Sequence, residues 1–315
     1  MIATLQSLRF VFVMLIFLSH FAYKDIRAFD AGGDCGVAFF FILSGFVLSI
    51  GYGEQIRKGI FDYRLFLKRR LLKSYPLHIF CLLFFLIVSR STIDGKVALN
   101  ALLLQSWVPD AEYYFSCNSV SWFLSSLLFC YLLFPWTYRW VSSVMTLAVL
   151  VVCLLVYVVT PYERVNAILY VNPLVRFVDF YLGMVLARYF LRWHGCRGVE
   201  WLLVVGLLIA LTIYPMMDEK WRNAPLYWLV LIPLIGVFAQ QRGWLSRVLQ
   251  AKPMLFLGSL SLPLYLTHQM LTNILTNRLP EMSAVSMLAI CVLVTLTVSW
   301  MIQIIFSRLL RLLDI

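Results

Sequence analysis

Acidic residues are scarce in this chain, which has 15 Asp and Glu against 26 Lys and Arg over 315 residues, only 13% charged residues in all and four histidines. So little charge cannot clothe a soluble domain, and no soluble stretch of useful size interrupts the sequence. The seven cysteines, at 35, 81, 117, 130, 153, 196 and 291, include no C-x-x-C and no metal-type spacing. Zinc and dithiol motifs are therefore excluded, and no metal is expected. Low-complexity linkers and convincing internal repeats are also missing. The chain reads as a single domain over 1–315, and transporter folds built on inverted repeats lose support. The net charge of +11 sits in short loops between apolar runs rather than on a basic, aromatic-interleaved surface, which argues against a nucleic-acid partner.

Apolar and aromatic residues are what the chain has in excess. They make up 62% and 16% of it, with 24 Phe, 16 Tyr and 10 Trp, and the mean hydropathy is +0.88. Runs near the length needed to cross about 30 Å of hydrocarbon fall at 4–23, 35–52, 70–90, 119–138, 143–160, 172–191, 198–215, 224–240, 255–277 and 283–307. The expectation is an all-α, polytopic integral membrane protein of about ten transmembrane helices, with membrane lipid as its solvent. A shorter piece at 97–108, interrupted by Asn100 and Gln105 and ended by Pro109, reads as an interfacial or re-entrant helix. The first run has the length of a signal peptide, but no A-x-A site follows it, so it reads as a retained helix. Basic residues favour the N-terminal side by about two to one, which predicts both termini in the cytoplasm. Five cysteines lie in or beside apolar runs as small packing residues. Cys35 and Cys117 fall near span ends on the same outer side, where a disulfide remains open.

Ionisable groups at membrane depth are costly, so each is a candidate functional residue whose rival explanation is structural pairing. They are Arg9 and His20 in the first run, Arg176 and Asp179 in the sixth, and His268 in the ninth, with His78 near the inner end of the third. Arg9 and His20 are eleven residues apart, which places them within about 20° on one helix face and about 16 Å apart along the axis. Counting about 1.5 Å per residue from each span start sets His20 at about 24 Å and His268 at about 20 Å above the inner face, and Asp179 at about 10 Å below the outer one. All three fall in the outer half, where an imidazole beside a carboxylate is the usual arrangement for general-base catalysis. Asp179 can equally pair with Arg176 at i, i+3. On the cytoplasmic side, FLKRRLLKSYP at 66–76 gathers Lys68, Arg69, Arg70 and Lys73. Such a cluster suits either phosphate binding or topological anchoring.

These pieces, in order, resemble the membrane acyltransferases of acyltransferase family 3. Arg9-x10-His20 is similar to the family's first-span motif, GVAFFFILSGF at 36–46 to its G-V-D-x-F-F-x-x-S-G-F segment, and KRRLLKSYP to its R-x-x-R stretch before a proline. NSVSWFLSSLLFCYLLFP at 118–135, NPLVRFVDFYLGM at 172–184 and SLPLYLTH at 261–268 resemble three later segments. Ala38, Leu127 and Leu128 stand where many members carry acidic residues, and Lys73 stands where a second Arg is common.

The resemblance implies transfer of an acyl group, acetyl above all, from cytoplasmic acyl-CoA to a hydroxyl of an envelope polysaccharide or its lipid-linked precursor at the bacterial inner membrane. Acetyl-CoA is then a co-substrate, and no permanently bound cofactor is implied. No appended periplasmic hydrolase-like domain is expected in 1–315. On this reading His20, with Asp179, carries the chemistry as a general base or a transient acyl carrier. Arg9, Arg69, Arg70 and Lys73 receive acyl-CoA, and Asn118, Trp122, Arg176 and His268 meet the acceptor. The competing expectation is a transporter of small anions or lipid-linked sugars that uses Arg176, Asp179 and the histidines as a relay.

Overall fold

In a computed structural model that describes residues 2–24, 26–27, 29–190 and 198–312, the apolar runs fold into helices. The first helix, α1 (Ala3–His20), ends where Phe21 turns extended. A two-residue hairpin follows, β1 (Ala22–Tyr23) against β2 (Ile26–Arg27), with Tyr23 opposite Ile26. Next come α2 (Gly32–Arg57) and α3 (Tyr63–Ser89), then two short helices, α4 (Gly95–Ala101) and α5 (Ala111–Tyr114). After α6 (Trp122–Arg139) and α7 (Ser143–Val159) the chain bends by 118° through Pro161 into a π-helical turn at Val165–Tyr170. The remainder is α8 (Pro173–Phe190), α9 (Glu200–Ile213), α10 (Ala224–Ala239), α11 (Trp244–Leu249), α12 (Lys252–Ser259), α13 (Ser261–Arg278) and α14 (Ala284–Leu312).

Five helices among the described residues are long and apolar enough to cross a membrane: Ala3–His20, Gly32–Arg57, Tyr63–Ser89, Ser119–Arg139 and Ala284–Leu309. Counting the bent α7 pair as one span makes six. The other expected spans are also helical, but they fall short for definite reasons. At 14 and 16 residues, α9 and α10 are short. Arg176, Asp179 and Arg188 charge α8, and the run at 255–277 breaks at Leu260 into α12 and a polar α13. The piece at 97–108 is shorter still. It forms α4 and a 3-10 turn at Gln105–Trp107, and its polar side chains face inward. Buried Asn100 donates to Ser116 and accepts from Ser121 at 2.8 Å, Gln105 donates to Ser121 at 3.2 Å, and the His78 ring bonds the Asn100 carbonyl at 2.9 Å. His78 is thus a tether for this segment.

Packing centres on α2 and α8, which cross backbone to backbone. A Cβ on Gly45 would overlap the Phe180 carbonyl, and a Cβ on Gly183 would overlap the Ile42 carbonyl. Reciprocal glycines of this kind let apolar helices approach closely where burial from water supplies no drive. One face of α1 packs on α2 and others on α12 and α13, so α1 runs through the middle of the bundle. All six described cysteines are free thiols, so Cys35 and Cys117 are not joined; Cys35 is fully buried, and Cys196 lies outside the described residues.

The close crossing predicts that Gly183→Val destabilises the fold by about 1–3 kcal/mol, the usual cost of overpacking. Gly51→Val should cost little, because nothing lies within 4 Å of the added Cβ. Thermal unfolding of the two purified variants in one detergent checks the contrast.

Candidate active site

The C-terminal end of α1 meets the middle of α13 at two imidazoles. His20 Nδ1 lies 2.9 Å from the carbonyl of Ile16, one turn earlier on its own helix. It also lies 3.2 Å from Nε2 of His268. The other ring nitrogen of His268, Nδ1, is 2.7 Å from the Tyr265 carbonyl. The two ring centroids are 5.1 Å apart, with Phe17 and Tyr265 packed against His268 at 5.9 and 6.0 Å. His268 is fully buried and His20 half-buried. Beyond His20, the Tyr23 hydroxyl donates into the carbonyls of Leu279 and Pro280 at 2.9 and 2.7 Å, which closes the hairpin over the α13–α14 turn.

A cavity of about 330 Å³ lies toward the N-terminal end of α1, and Arg9, Arg70 and Lys73 share its wall with Gln6, Ser261 and Tyr265. Its body is apolar, built from α2 and α6 residues such as Leu43, Val47 and Leu124. Arg70 is held under the Tyr52 hydroxyl at 3.4 Å, with its guanidinium 5.8 Å from the rings of both Tyr52 and Phe66. Arg9 donates to the Gln6 side-chain oxygen across 3.5 Å. Among the described residues none of the three cations is paired with a carboxylate. Arg69 is not on this wall. It lies about 100° from Arg70 around α3 and is exposed. Helical phase puts Ser261 and Tyr265 within about 60° of His268 on α13, so one face of α13 lines the cavity and then reaches the imidazole pair.

The remaining candidates lie elsewhere. Asp179 does not meet His20. It forms an ion pair with Arg176 at 3.0 Å and accepts from the Trp228 indole at 2.6 Å, and both partners of the ion pair are buried. Arg176 also donates to the Leu169 carbonyl at 2.6 Å and lies over the Tyr170 ring, so it fixes the π-helical turn. Depth had grouped Asp179 with the histidines, but its azimuth turns it toward α10. Trp122 is buried against Tyr170, with ring centroids 4.8 Å apart. Both ring nitrogens of His268 are occupied, so none is left for an acceptor. Asn118 donates to the Leu266 carbonyl at 2.8 Å and, with Ser119, Gln269, Asn273 and Asn277, lines a second cavity of about 300 Å³. Asn273 and Asn277 stand about 140° and 180° around α13 from His268, so that cavity opens on the far side of the helix. Sequence reasoning missed Tyr52 and Tyr265. Tyr265 was visible as a residue one turn before His268.

Comparison with known proteins places this geometry in context. A family model described as an acyltransferase domain matches residues 2–304. Acyltransferase MdmB of Streptomyces mycarofaciens is 30% identical over 161 residues, which cover 45% of this chain and 40% of that protein. The chain thus matches less than half the length of this curated relative. No solved structure matches it.

The Arg176–Asp179–Trp228 arrangement predicts a structural phenotype. Asp179→Ala leaves a buried guanidinium without its partner and should cost about 3–5 kcal/mol. Trp228→Phe removes one hydrogen bond to a charged group and should cost about 1.5–3 kcal/mol. Thermal unfolding measures both; wild-type stability with lost turnover in Asp179→Ala would instead return Asp179 to the chemistry.

Proposed function

The chain belongs to the acyltransferase family whose model spans residues 2–304, and from that premise we propose that it transfers an acyl group, acetyl above all, from acyl-CoA to a hydroxyl of an envelope polysaccharide or its lipid-linked precursor. The observation that carries this reading is the cavity whose lining holds Arg9, Arg70 and Lys73 together with Tyr265, which packs beside the imidazole pair. Three cations without carboxylate partners suit the phosphates of a coenzyme A donor, since guanidinium forks and an ammonium neutralise phosphate directly. The apolar body suits the pantetheine arm. From phosphate oxygen to sulfur that arm has about twelve bonds at roughly 1.2 Å of reach each, or about 14 Å. Arg9 and His20 are separated by about 16 Å along α1. A donor whose phosphates rest at Arg9 and Arg70 therefore brings its thioester close to His20.

On this reading His20 is the catalytic base. It takes the proton of the acceptor hydroxyl as that oxygen attacks the thioester carbonyl, and the carbon–sulfur bond breaks. The leaving thiolate then takes the proton from His20, so ester and free CoA leave and the imidazole is restored. The topology that goes with this chemistry has both termini in the cytoplasm of a bacterial inner-membrane protein. The donor cavity then opens inward, and the end of α1 that bears His20 faces the envelope.

Two outcomes test the proposal. His20→Ala, with membrane expression intact, should abolish the acyl mass that the wild type adds to envelope glycans, read by mass spectrometry of cells with and without the protein. Arg70→Ala should raise the apparent KM for acetyl-CoA about tenfold or more with a small change in kcat, measured with radiolabelled acetyl-CoA; an unchanged KM would make the cluster a topological anchor.

A further inference from the structure

We infer that His268 is a positioning residue, which receives the Nδ1 proton of His20 in a hydrogen bond and thereby fixes Nε2 as the nitrogen that exchanges protons with the acceptor. The inference rests on the reading of His20 as the base and assigns to a second imidazole the task usually held by a carboxylate.

The assignment follows from the partners of each ring nitrogen. A backbone carbonyl can only accept, so the nitrogen 2.9 Å from the Ile16 oxygen, His20 Nδ1, carries the hydrogen. Likewise His268 Nδ1, 2.7 Å from the Tyr265 oxygen, carries the hydrogen of its ring. His268 Nε2 is then a bare lone pair, and it faces the hydrogen on His20 Nδ1 across 3.2 Å. The His20 hydrogen is shared between the Ile16 carbonyl and the His268 ring, and His20 Nε2 is left unprotonated on the side away from both. The sequence Tyr265 carbonyl, His268, His20 is thus a directed chain of donors and acceptors with its free basic end at His20.

The consequence for turnover is specific. When His20 Nε2 takes the hydroxyl proton, the ring becomes an imidazolium whose Nδ1–H is already held by a neutral acceptor. No proton need move to His268. When the thiolate reclaims the proton from Nε2, the pair returns to its starting state, so protons balance over the cycle without a further acid or base. The setting of His268 suits this role. It is fully buried, packed between Phe17 and Tyr265 and anchored at its far nitrogen, so the accepting lone pair is held in one direction.

The test compares His268→Leu and His268→Gln with wild type in transfer from radiolabelled acetyl-CoA to envelope membranes of cells lacking the protein. His268→Leu should lower kcat about 10–100-fold, part of the 10²–10⁴-fold that acid–base catalysis supplies, while KM for acetyl-CoA stays within about twofold. His268→Gln, whose amide oxygen can take the place of Nε2, should recover most of the loss. In ¹⁵N-histidine NMR of the wild type, His20, assigned by its loss in His20→Ala, should show the tautomer protonated at Nδ1. Three results would overturn the inference: wild-type kcat in His268→Leu, equal losses in the Leu and Gln variants, or a His20 proton on Nε2. If His268→Leu fails to fold, the Gln rate and the wild-type tautomer decide. Full transfer by His20→Ala would overturn the underlying reading instead, whereas an inactive His20→Ala beside a fully active His268→Leu would overturn only the role of His268.

Discussion

Where water is absent, every polar group must be answered by another part of the chain, and this requirement sorts the polar residues here into two sets. In the first set each side chain is held by partners elsewhere in the chain. Arg176 is paired with Asp179 and donates to the Leu169 carbonyl, and Asp179 accepts from the Trp228 indole. Glu200 accepts from the backbone of Gly243 and Ser246 and from the Ser246 hydroxyl, which joins α9 to α11. Asn100 closes the network around α4. These groups hold helices to one another. In the second set are Arg9, Arg70 and Lys73, which have no carboxylate among the described residues and share the wall of a cavity. An unanswered cation beside empty space is where an anionic ligand gains most. The paired residues are also the ones that a transporter would have to uncouple in each cycle.

Much of this was legible from sequence because helical phase is a strong constraint. Arg9 and His20 share a face by spacing, and the structure puts Arg9 on the cavity and His20 on the imidazole pair. Arg70 and Lys73, one turn apart, arrive together, and the neighbour Arg69 is turned away by the same rule. Gly45, within the SGF segment, proves to be a contact point between backbones. The meeting of His20 with His268 was indicated by depth, which gives height in the bundle.

Height alone does not give direction, and the misplaced residues show it. Asp179 stands at a suitable depth but is turned toward α10, and Trp122, at the start of α6, is turned toward Tyr170. Which way a buried side chain faces is decided by which helices pack together, and the α2–α8 and α1–α13 contacts join segments far apart in sequence. The count of spans was obscured differently. The polar residues that hold α8 in place and give α13 its imidazole also lower the apolar character of those two helices.

The single helix α13 carries Ser261 and Tyr265 on the cavity wall and His268 against α1, with no loop between them. Its register therefore matters more than its composition. One residue added between Tyr265 and His268 would keep every side-chain type, yet it would swing the imidazole by about 100° and lift it by about 1.5 Å. The cavity would survive and the imidazole pair would not. In this part of the chain a substitution changes one contact, whereas a register slip separates the cationic cavity from the imidazole pair.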